Sequence, residues 1–220
     1  MKPVIVSWSG GKDSALALYE VMNDERFEVK GLFSTFSKQS SRLPIHEVKR
    51  SLIKKQANFI GLPLYEIEMP DKATNEQYEE TLGQQFEQWQ MQGIQTIVYA
   101  DLFLEDIRNY RDRLIAKFNM ESWYPLWKRD TEKVAEHFLN QGFQAIVTTI
   151  DVEKVSEALV GLPYDKEFLS KLPKGVDPCG ENGEFHTFVY GGPIFQRQVH
   201  VQTSDPFYTM TGRFCHIELM

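Results

Sequence analysis

Six residues, Ser9-Gly10-Gly11-Lys12-Asp13-Ser14, follow the short apolar run Val4 to Trp8. They open a helix over Asp13 to Met22 in which Ala15, Leu18 and Met22 lie near one face. A strand, a glycine turn and a helix in that order restrict what the turn can do. Adjacent glycines let the backbone bend tightly and approach an anion closely. The first amides of the helix lack intrahelical acceptors and sit at the positive end of its dipole. Ser9 and Ser14 add hydroxyl donors and Lys12 adds a point charge, while Asp13 reads either as a magnesium ligand or as a cap. The spacing is neither that of a Walker A loop, which separates its first Gly from Gly-Lys by four residues, nor Gly-x-Gly-x-x-Gly. The bland alternative is a capped glycine turn.

Downstream, strands and helices alternate. Strands are expected over Val29 to Phe36, Leu64 to Met69 (ended by Pro70-Asp71) and Ile94 to Ala100. Helices are expected over His46 to Ile60 with Gly61 as the stop, and along Tyr78, Leu82, Phe86 and Trp89 as far as about Gly93. A further helix is marked by Ile107, Leu114 and Phe118. This rhythm predicts a mostly parallel sheet covered on both faces. Ser34 to Arg42, rich in serine, reads as a polar loop. The pattern changes in the second half. Thr131 to Gln141 reads as a helix and Phe143 to Ile150 as a strand, after which Gly and Pro become frequent. Thr187 to Tyr190 and Ile194 to Gln202, around Gly191-Gly192-Pro193, read as a hairpin. The expected division is an α/β domain over 1–125 that carries the glycine turn and a smaller α+β domain over 126–220.

A second motif lies in the Gly-rich stretch, Gly175-Val176-Asp177-Pro178-Cys179-Gly180-Glu181-Asn182-Gly183-Glu184-Phe185-His186-Thr187. Two carboxylates, an amide and an imidazole fall within six residues. Polar groups this dense on a turn face either a ligand or bulk water.

The first motif resembles the SGGxDS loop of the PP-loop ATP pyrophosphatases, and the second resembles the DPCGENGEFHT signature of the diphthine–ammonia ligase family. The resemblance extends over most of the chain. It takes in Arg50 to Pro63, Asp101 to Asp106, Pro125-Leu126-Trp127, Arg129-Asp130-Thr131 and Gly142-Phe143. It implies an adenine nucleotide α-hydrolase sheet of about five parallel strands with the loop after the first. It also implies an AMP-forming amide ligase using ATP and Mg2+, which adenylates a carboxylate and transfers ammonia to it. In the named family that carboxylate is diphthine on elongation factor 2. Where the family usually has Gly-Asp after the fourth strand, this chain has Ala100-Asp101, whose methyl group tightens the nucleotide pocket.

On this reading Ser9, Gly10, Gly11, Lys12, Asp13, Ser14 and Asp101 bind the nucleotide, and Asp13 is the metal ligand. Lys12, Asp13, Glu181, Glu184 and His186 are the catalytic candidates. His46, Glu105, Trp127, Arg129, Gly180, Asn182 and Gly183 are the substrate-binding candidates. Each has a plainer alternative: Glu105 as a helix-N-terminal charge, Trp127 as packing, His46 as a structural histidine. The basic helix face Lys49, Arg50, Lys54 and Lys55 reads as solvated or as a partner surface. Cys179 reads as packing. A PP-loop tRNA-modifying enzyme and a non-catalytic nucleotide sensor are the alternatives. The net charge of −7 and the absence of Cys-x-x-Cys weigh against the first of these.

Composition sets the remaining expectations. With 42% hydrophobic and 25% charged residues, the chain is an ordinary globular sequence. Its acidity disfavours general binding to nucleic acid or anionic membranes. No apolar run approaches the roughly 18 residues of a membrane span. The N-terminus reaches Ser7 too soon for a signal-peptide core, and two cysteines are too few for a disulfide scaffold, so a cytoplasmic location is expected. No residues are spare for a glutaminase domain, so nitrogen is expected from ammonium or from a partner subunit. Self-association into a homo-oligomer stays open.

Overall fold

A computed structural model describes residues 1–70 and 72–220. Asp71, expected to help end the third strand, lies outside the described residues. The first half contains β1 (Lys2–Ser7), α1 (Lys12–Met22), β2 (Phe27–Ser37), α2 (Arg50–Ile60), β3 (Leu64–Met69), α3 (Asn75–Met91), β4 (Thr96–Val98), α4 (Glu105–Ala116) and β5 (Glu121–Trp123). All four pairings are parallel, in the order β3-β2-β1-β4-β5. This is the parallel sheet covered on both faces that the alternation predicts, with the strand count that the family resemblance implies; β5 has no counterpart among the strands expected from the pattern.

The central strand shows why the sequence folds this way. Val4, Ile5 and Val6 are all fully buried, as a strand covered on both faces requires. Val4 and Val6 join the apolar cluster that holds Leu18 of α1 and Ile53 of α2. Ile5 points the other way, into the cluster with Phe86 and Trp89 of α3 and Leu114 of α4. The predicted stripe Leu82, Phe86 and Trp89 is therefore the buried face of α3, and a Thr74–Gln77 capping box starts that helix.

The second half contains α5 (Thr131–Asn140), β6 (Gln144–Asp151), α6 (Lys166–Lys171), β7 (Phe185–Gly191), β8 (Thr203–Thr209) and β9 (Phe214–Leu219). The strands form an antiparallel sheet in the order β7-β6-β9-β8. Phe138, Val147 and Phe188 belong to the same apolar cluster as α1 and α2, so the second sheet shares the core on that face of the first. Among the described residues no helix is long and apolar enough to cross a membrane.

Three expectations need correction. Residues 194–202 form no strand, so the hairpin does not exist. One edge of β7 pairs with β6, but its other edge meets the glycine loop: Val189 N donates to Gly10 O at 2.8 Å. Helix α2 begins at Arg50 rather than His46, because Ile45 and Glu47 adopt positive φ (70° and 53°) in a turn. Ser34 to Ser37 are the end of β2 rather than loop, and Ser34 is buried with its hydroxyl donating to Trp8 O at 2.5 Å.

Candidate active site

The strand order reverses between β1 and β4, and open α/β sheets leave a ligand crevice at the carboxyl ends of strands there. A cleft of about 330 Å3 lies at this point. Its floor is Ser7, Ser9 and Gly11 to Ser14, and one wall is Ala100, Asp101, Leu104, Ile107 and Arg111. The other wall brings in Ile45, His46, Cys179 to Glu181, Gly183 and Phe185 to Thr187. The two sequence motifs, some 170 residues apart, therefore face one space.

The loop is held from several sides. Gly10 has φ +73°, and a Cβ there would sit 2.4 Å from Gln56 Oε1, so glycine is demanded twice. Gln56, fully buried, donates to Gly10 O (2.9 Å) and Val189 O (2.6 Å) and accepts from Trp8 Nε1 (3.0 Å). The N-cap of α1, Gly11, provides no side-chain cap. Thr187 of β7 takes that part, its hydroxyl accepting from Lys12 N at 3.0 Å. The next amides, those of Asp13 and Ser14, have no acceptor within the helix. Ser14 Oγ donates to Gly11 O (2.9 Å) and Ser9 Oγ donates to Ser14 Oγ (3.1 Å), which orders the floor.

Lys12 is buried, and its ammonium donates to Cys179 O and to Asp13 Oδ2 (2.7 Å). Burial opposes its charge, but Asp13, Cys179 and Glu181 outweigh that and raise its pKa. The second carboxylate oxygen, Asp13 Oδ1, is buried without a hydrogen-bond partner. Burial is the main cause that raises the Asp13 pKa, against the pull of Lys12. A free, inward carboxylate oxygen beside a phosphate-type loop fits a magnesium ion that takes its other ligands from phosphate and water. Among the described residues no group of three or more His, Cys, Asp or Glu could hold a metal alone.

In the second motif Asp177 organises the turn, accepting from Cys179 N (3.2 Å) and Glu181 N (2.8 Å). Gly180 has φ +67°, and a Cβ would meet Phe185 O at 2.7 Å. Glu181 Oε1 accepts from Leu102 N at 2.8 Å, joining this turn to the end of β4. Burial pushes the Glu181 pKa up to about 7. The Leu102 amide and Lys12 oppose the shift, and Asp13 and Asp101 add to it. His46 and His186 lie ring against ring, centroids 4.3 Å apart. Burial lowers the His46 pKa to about 4, helped by Lys12, and holds that of His186 well below its ordinary value. His46 Nδ1 and His186 Nε2 are buried without partners.

Ser9, Gly11, Lys12, Asp13, Ser14, His46, Asp101, Gly180, Glu181, Gly183 and His186 thus share one cleft. Other candidates do not line it. Gly10 lies behind the loop. Glu184 is buried beneath the turn, accepting from Asn182 Nδ2 at 3.0 Å. Asn182 is turned toward that carboxylate. Glu105 is mostly exposed and pairs with Lys128 (3.2 Å), because the face of α4 turned to the cleft is that of Leu104, Ile107 and Arg111. Trp127 packs on Tyr124 beneath the Arg108 guanidinium, and Arg129 pairs with Glu20 (2.8 Å) on the surface. The basic face of α2 is neutralised: Arg50 pairs with Glu66 and Glu68, Lys54 with Glu66, and Lys49 with Glu218. Cys179 is buried, burial pushes its thiol pKa up, and its carbonyl rather than its sulfur serves the site.

The sequence reading missed Arg111, Thr187 and the stapling role of Gln56. Arg111 was legible as the residue four after Ile107. At helical spacing Leu114 and Phe118 fall on the same side as Ile107 and Arg111, so a stripe read only as apolar packing hides the arginine within it.

Comparison with known proteins places the chain. Residues 1–122 match the diphthamide synthase N-terminal domain and residues 130–220 the diphthamide synthase C-terminal domain. The Bos taurus protein named diphthine–ammonia ligase is 28% identical over 108 residues, covering 46% of this chain and 40% of that one. The Danio rerio protein of the same name is 25% identical over 171 residues, covering 68% of this chain and 64% of that one. The chain thus spans less than two thirds of the length of these curated relatives. A solved Methanocaldococcus jannaschii chain, described as a predicted subunit of tRNA methyltransferase, aligns with 90% of this chain and 100% of its own. Its TM-score is 0.45 at 17% identity. With both halves of the domain pair matched in order, the chain belongs to the diphthamide synthase family.

Proposed function

We propose that this cleft carries out ATP-dependent, AMP-forming amidation of a carboxylate, with ammonia as the nitrogen donor. The carboxylate class follows the name of the relatives, which makes diphthine the first substrate to test. The observation that carries the reading is the convergence, in one space, of a helix N-terminus whose Asp13 and Ser14 amides lack acceptors within the helix and the Glu181 carboxylate, whose pKa burial raises to about 7. In the proposed division, residues 1–125 hold the nucleotide and residues 126–220 supply the acyl and ammonia side.

The α1 amides of Asp13 and Ser14 take the pyrophosphate end of ATP, and the Ser9 hydroxyl joins them by turning from Ser14 Oγ. Asp13 Oδ1, buried without a partner, would hold a magnesium ion, which would neutralise phosphate charge. The substrate carboxylate attacks the α-phosphorus, and pyrophosphate leaves. Ammonia then attacks the acyl carbon of the adenylate, and the carbon–oxygen bond to AMP breaks. The attacking nitrogen must lose a proton. Glu181, with its pKa near 7, attracts ammonium when ionised and accepts that proton near neutrality. His46 and His186, both held neutral, offer ring nitrogens without adding positive charge that would repel ammonium. Glu184 and Asp177 position the turn from behind rather than touching substrate.

The test is product analysis. Purified protein with MgATP, ammonium and elongation factor 2 bearing diphthine should release AMP and pyrophosphate in step with amide formation. Release of ADP and phosphate alone would refute the mechanism.

A further inference from the structure

Only two permanently cationic side chains line the cleft among the described residues, Lys12 and Arg111. The Lys12 ammonium is already engaged by the Cys179 carbonyl and Asp13, beneath the loop. Arg111 is different. It spends one of its N–H donors on Asp101 Oδ2, and no other side-chain or backbone acceptor holds the guanidinium. Its plane is braced by the Tyr99 ring, 4.3 Å from the guanidinium carbon, and Tyr99 is buried. The Asp101 side chain is only 10% exposed, whereas that of Arg111 is 31% exposed. A half-exposed, oriented guanidinium with spare donors is built to receive an oxyanion.

Position narrows the ligand. β4 pairs directly with β1, so Asp101 stands beside the strand that feeds the glycine loop. Charge points the same way. The lining has three carboxylates, Asp13, Asp101 and Glu181, against these two cations. A nucleotide triphosphate entering there needs compensation beyond Lys12. The loop amides face the pyrophosphate end, so the phosphoryl group next to it falls between the loop and the β4 wall.

We propose that Arg111 grips the α-phosphoryl group of the nucleotide, with Asp101 and Tyr99 as positioning residues. This rests on the nucleotide reading above and names a contact that reading does not contain. Charge on the non-bridging α-oxygens is met by the free guanidinium donors as the carboxylate attacks. Lys at this position keeps charge but loses the planar fork.

The experiment is calorimetric titration of MgATP, AMP and pyrophosphate into wild type, Arg111→Lys and Asp101→Asn. Urea midpoints are compared first to establish that the variants fold. Arg111→Lys should weaken ATP and AMP binding by about 10- to 100-fold, the loss expected for a charge-assisted hydrogen-bonded contact. Pyrophosphate binding should be unchanged. Asp101→Asn should weaken AMP binding in the same direction by less, because the guanidinium survives unaligned. Unchanged ATP and AMP affinity in Arg111→Lys overturns the assignment and leaves the acyl carboxylate as the oxyanion at that wall. Equal loss for pyrophosphate also overturns it, placing Arg111 on the leaving group. Failure of the wild type to bind ATP at all removes the nucleotide reading itself, so the two failures are distinguishable.

Discussion

Replacing Gln56 by Leu isolates what holds the glycine loop in shape. The side chain is fully buried and makes three hydrogen bonds, to Trp8, Gly10 and Val189. Leu fills a similar volume, so cavity formation contributes little. The Gly10 carbonyl keeps its bond from Val189 N, but the Trp8 indole loses its acceptor and the Val189 carbonyl loses this donor. A buried polar group left unpaired costs about 1–3 kcal/mol. With two groups affected and the Leu side chain recovering part in apolar burial, the expected loss is about 2–4 kcal/mol. Urea unfolding followed by tryptophan fluorescence measures this directly. ATP affinity should fall in parallel, because the Gly10 peptide is free to turn. Gln56→Glu should be worse than Leu, since it sets a carboxylate against two carbonyl oxygens. A Leu variant within about 0.5 kcal/mol of wild type, the range of an ordinary surface substitution, with unchanged ATP affinity, would refute the staple.

Three further outcomes are expected. Gly10→Ala combines φ +73° with a Cβ 2.7 Å from Ile53 Cδ1, so it should destabilise by about 1–2 kcal/mol from backbone conformation alone, with more from the clash, and abolish ATP binding in calorimetry. Lys12→Met removes one partner of a buried ion pair and should cost about 3–5 kcal/mol in urea unfolding, with Asp13→Asn in the same chain restoring part of it. The third concerns pH. His46 and His216, both lowered to about 4 chiefly by burial, take up protons more readily when unfolded. Their contribution is complete above about pH 6.5 and is lost as pH falls toward 4. Glu181, raised to about 7, works in the opposite sense: the native chain keeps a proton that the unfolded chain releases, so stability falls as pH rises from about 4.5 to 7. Glu181→Gln should therefore make stability climb more steeply between pH 5 and 6.5 than in wild type. Parallel profiles would remove Glu181 from the buried, coupled position.

What could be read in advance followed from periodicity. The first four strands, the buried face of α3 and the limits of β3 follow from local patterns that tertiary structure did not override, whereas the three-residue β5 carries too short a pattern to be read. Where long-range contacts decide, the reading failed. A strand after Gly191-Gly192-Pro193 was plausible locally, but the outer edge of β7 is taken by a loop near residue 10. β8 was not foreseen; it is an edge strand with Pro206 in it and most of its residues at least partly exposed. β9, its neighbour, also escaped notice. His46 was placed on a helix because Val48, Leu52 and Ile53 keep the right spacing. The two left-handed residues around it follow no glycine or asparagine signal. Within the site the glycines and charges of both motifs were legible because their spacing is local. Thr187 and Gln56 act through partners distant in sequence, which a single chain read in order does not show, whereas Arg111 pairs with Asp101 only ten residues away and is hidden by the apolar stripe around it.

The contact between β7 and the glycine loop links the two halves through one helix end. An exposed strand edge is normally blunted to prevent unwanted pairing. Here Val189 spends its amide on the Gly10 carbonyl, and Thr187 lends its hydroxyl to the first amide of α1. A side-chain cap at Gly11 is impossible, since glycine carries none. Had that residue been serine, its hydroxyl would have competed for an amide of the next turn, which the proposed function assigns to the nucleotide. Capping from β7 satisfies Lys12 N and leaves the Asp13 and Ser14 amides without an acceptor within the helix. The same strand carries His186 between Phe185 and Thr187, so the register that caps the helix also sets an imidazole in the wall of the cleft. Moving β7 by one residue would uncap α1 and turn His186 to the other face of the sheet at once. The glycine loop and the imidazole wall are thereby fixed by a single strand position, which explains how two motifs so far apart in sequence meet in one cleft.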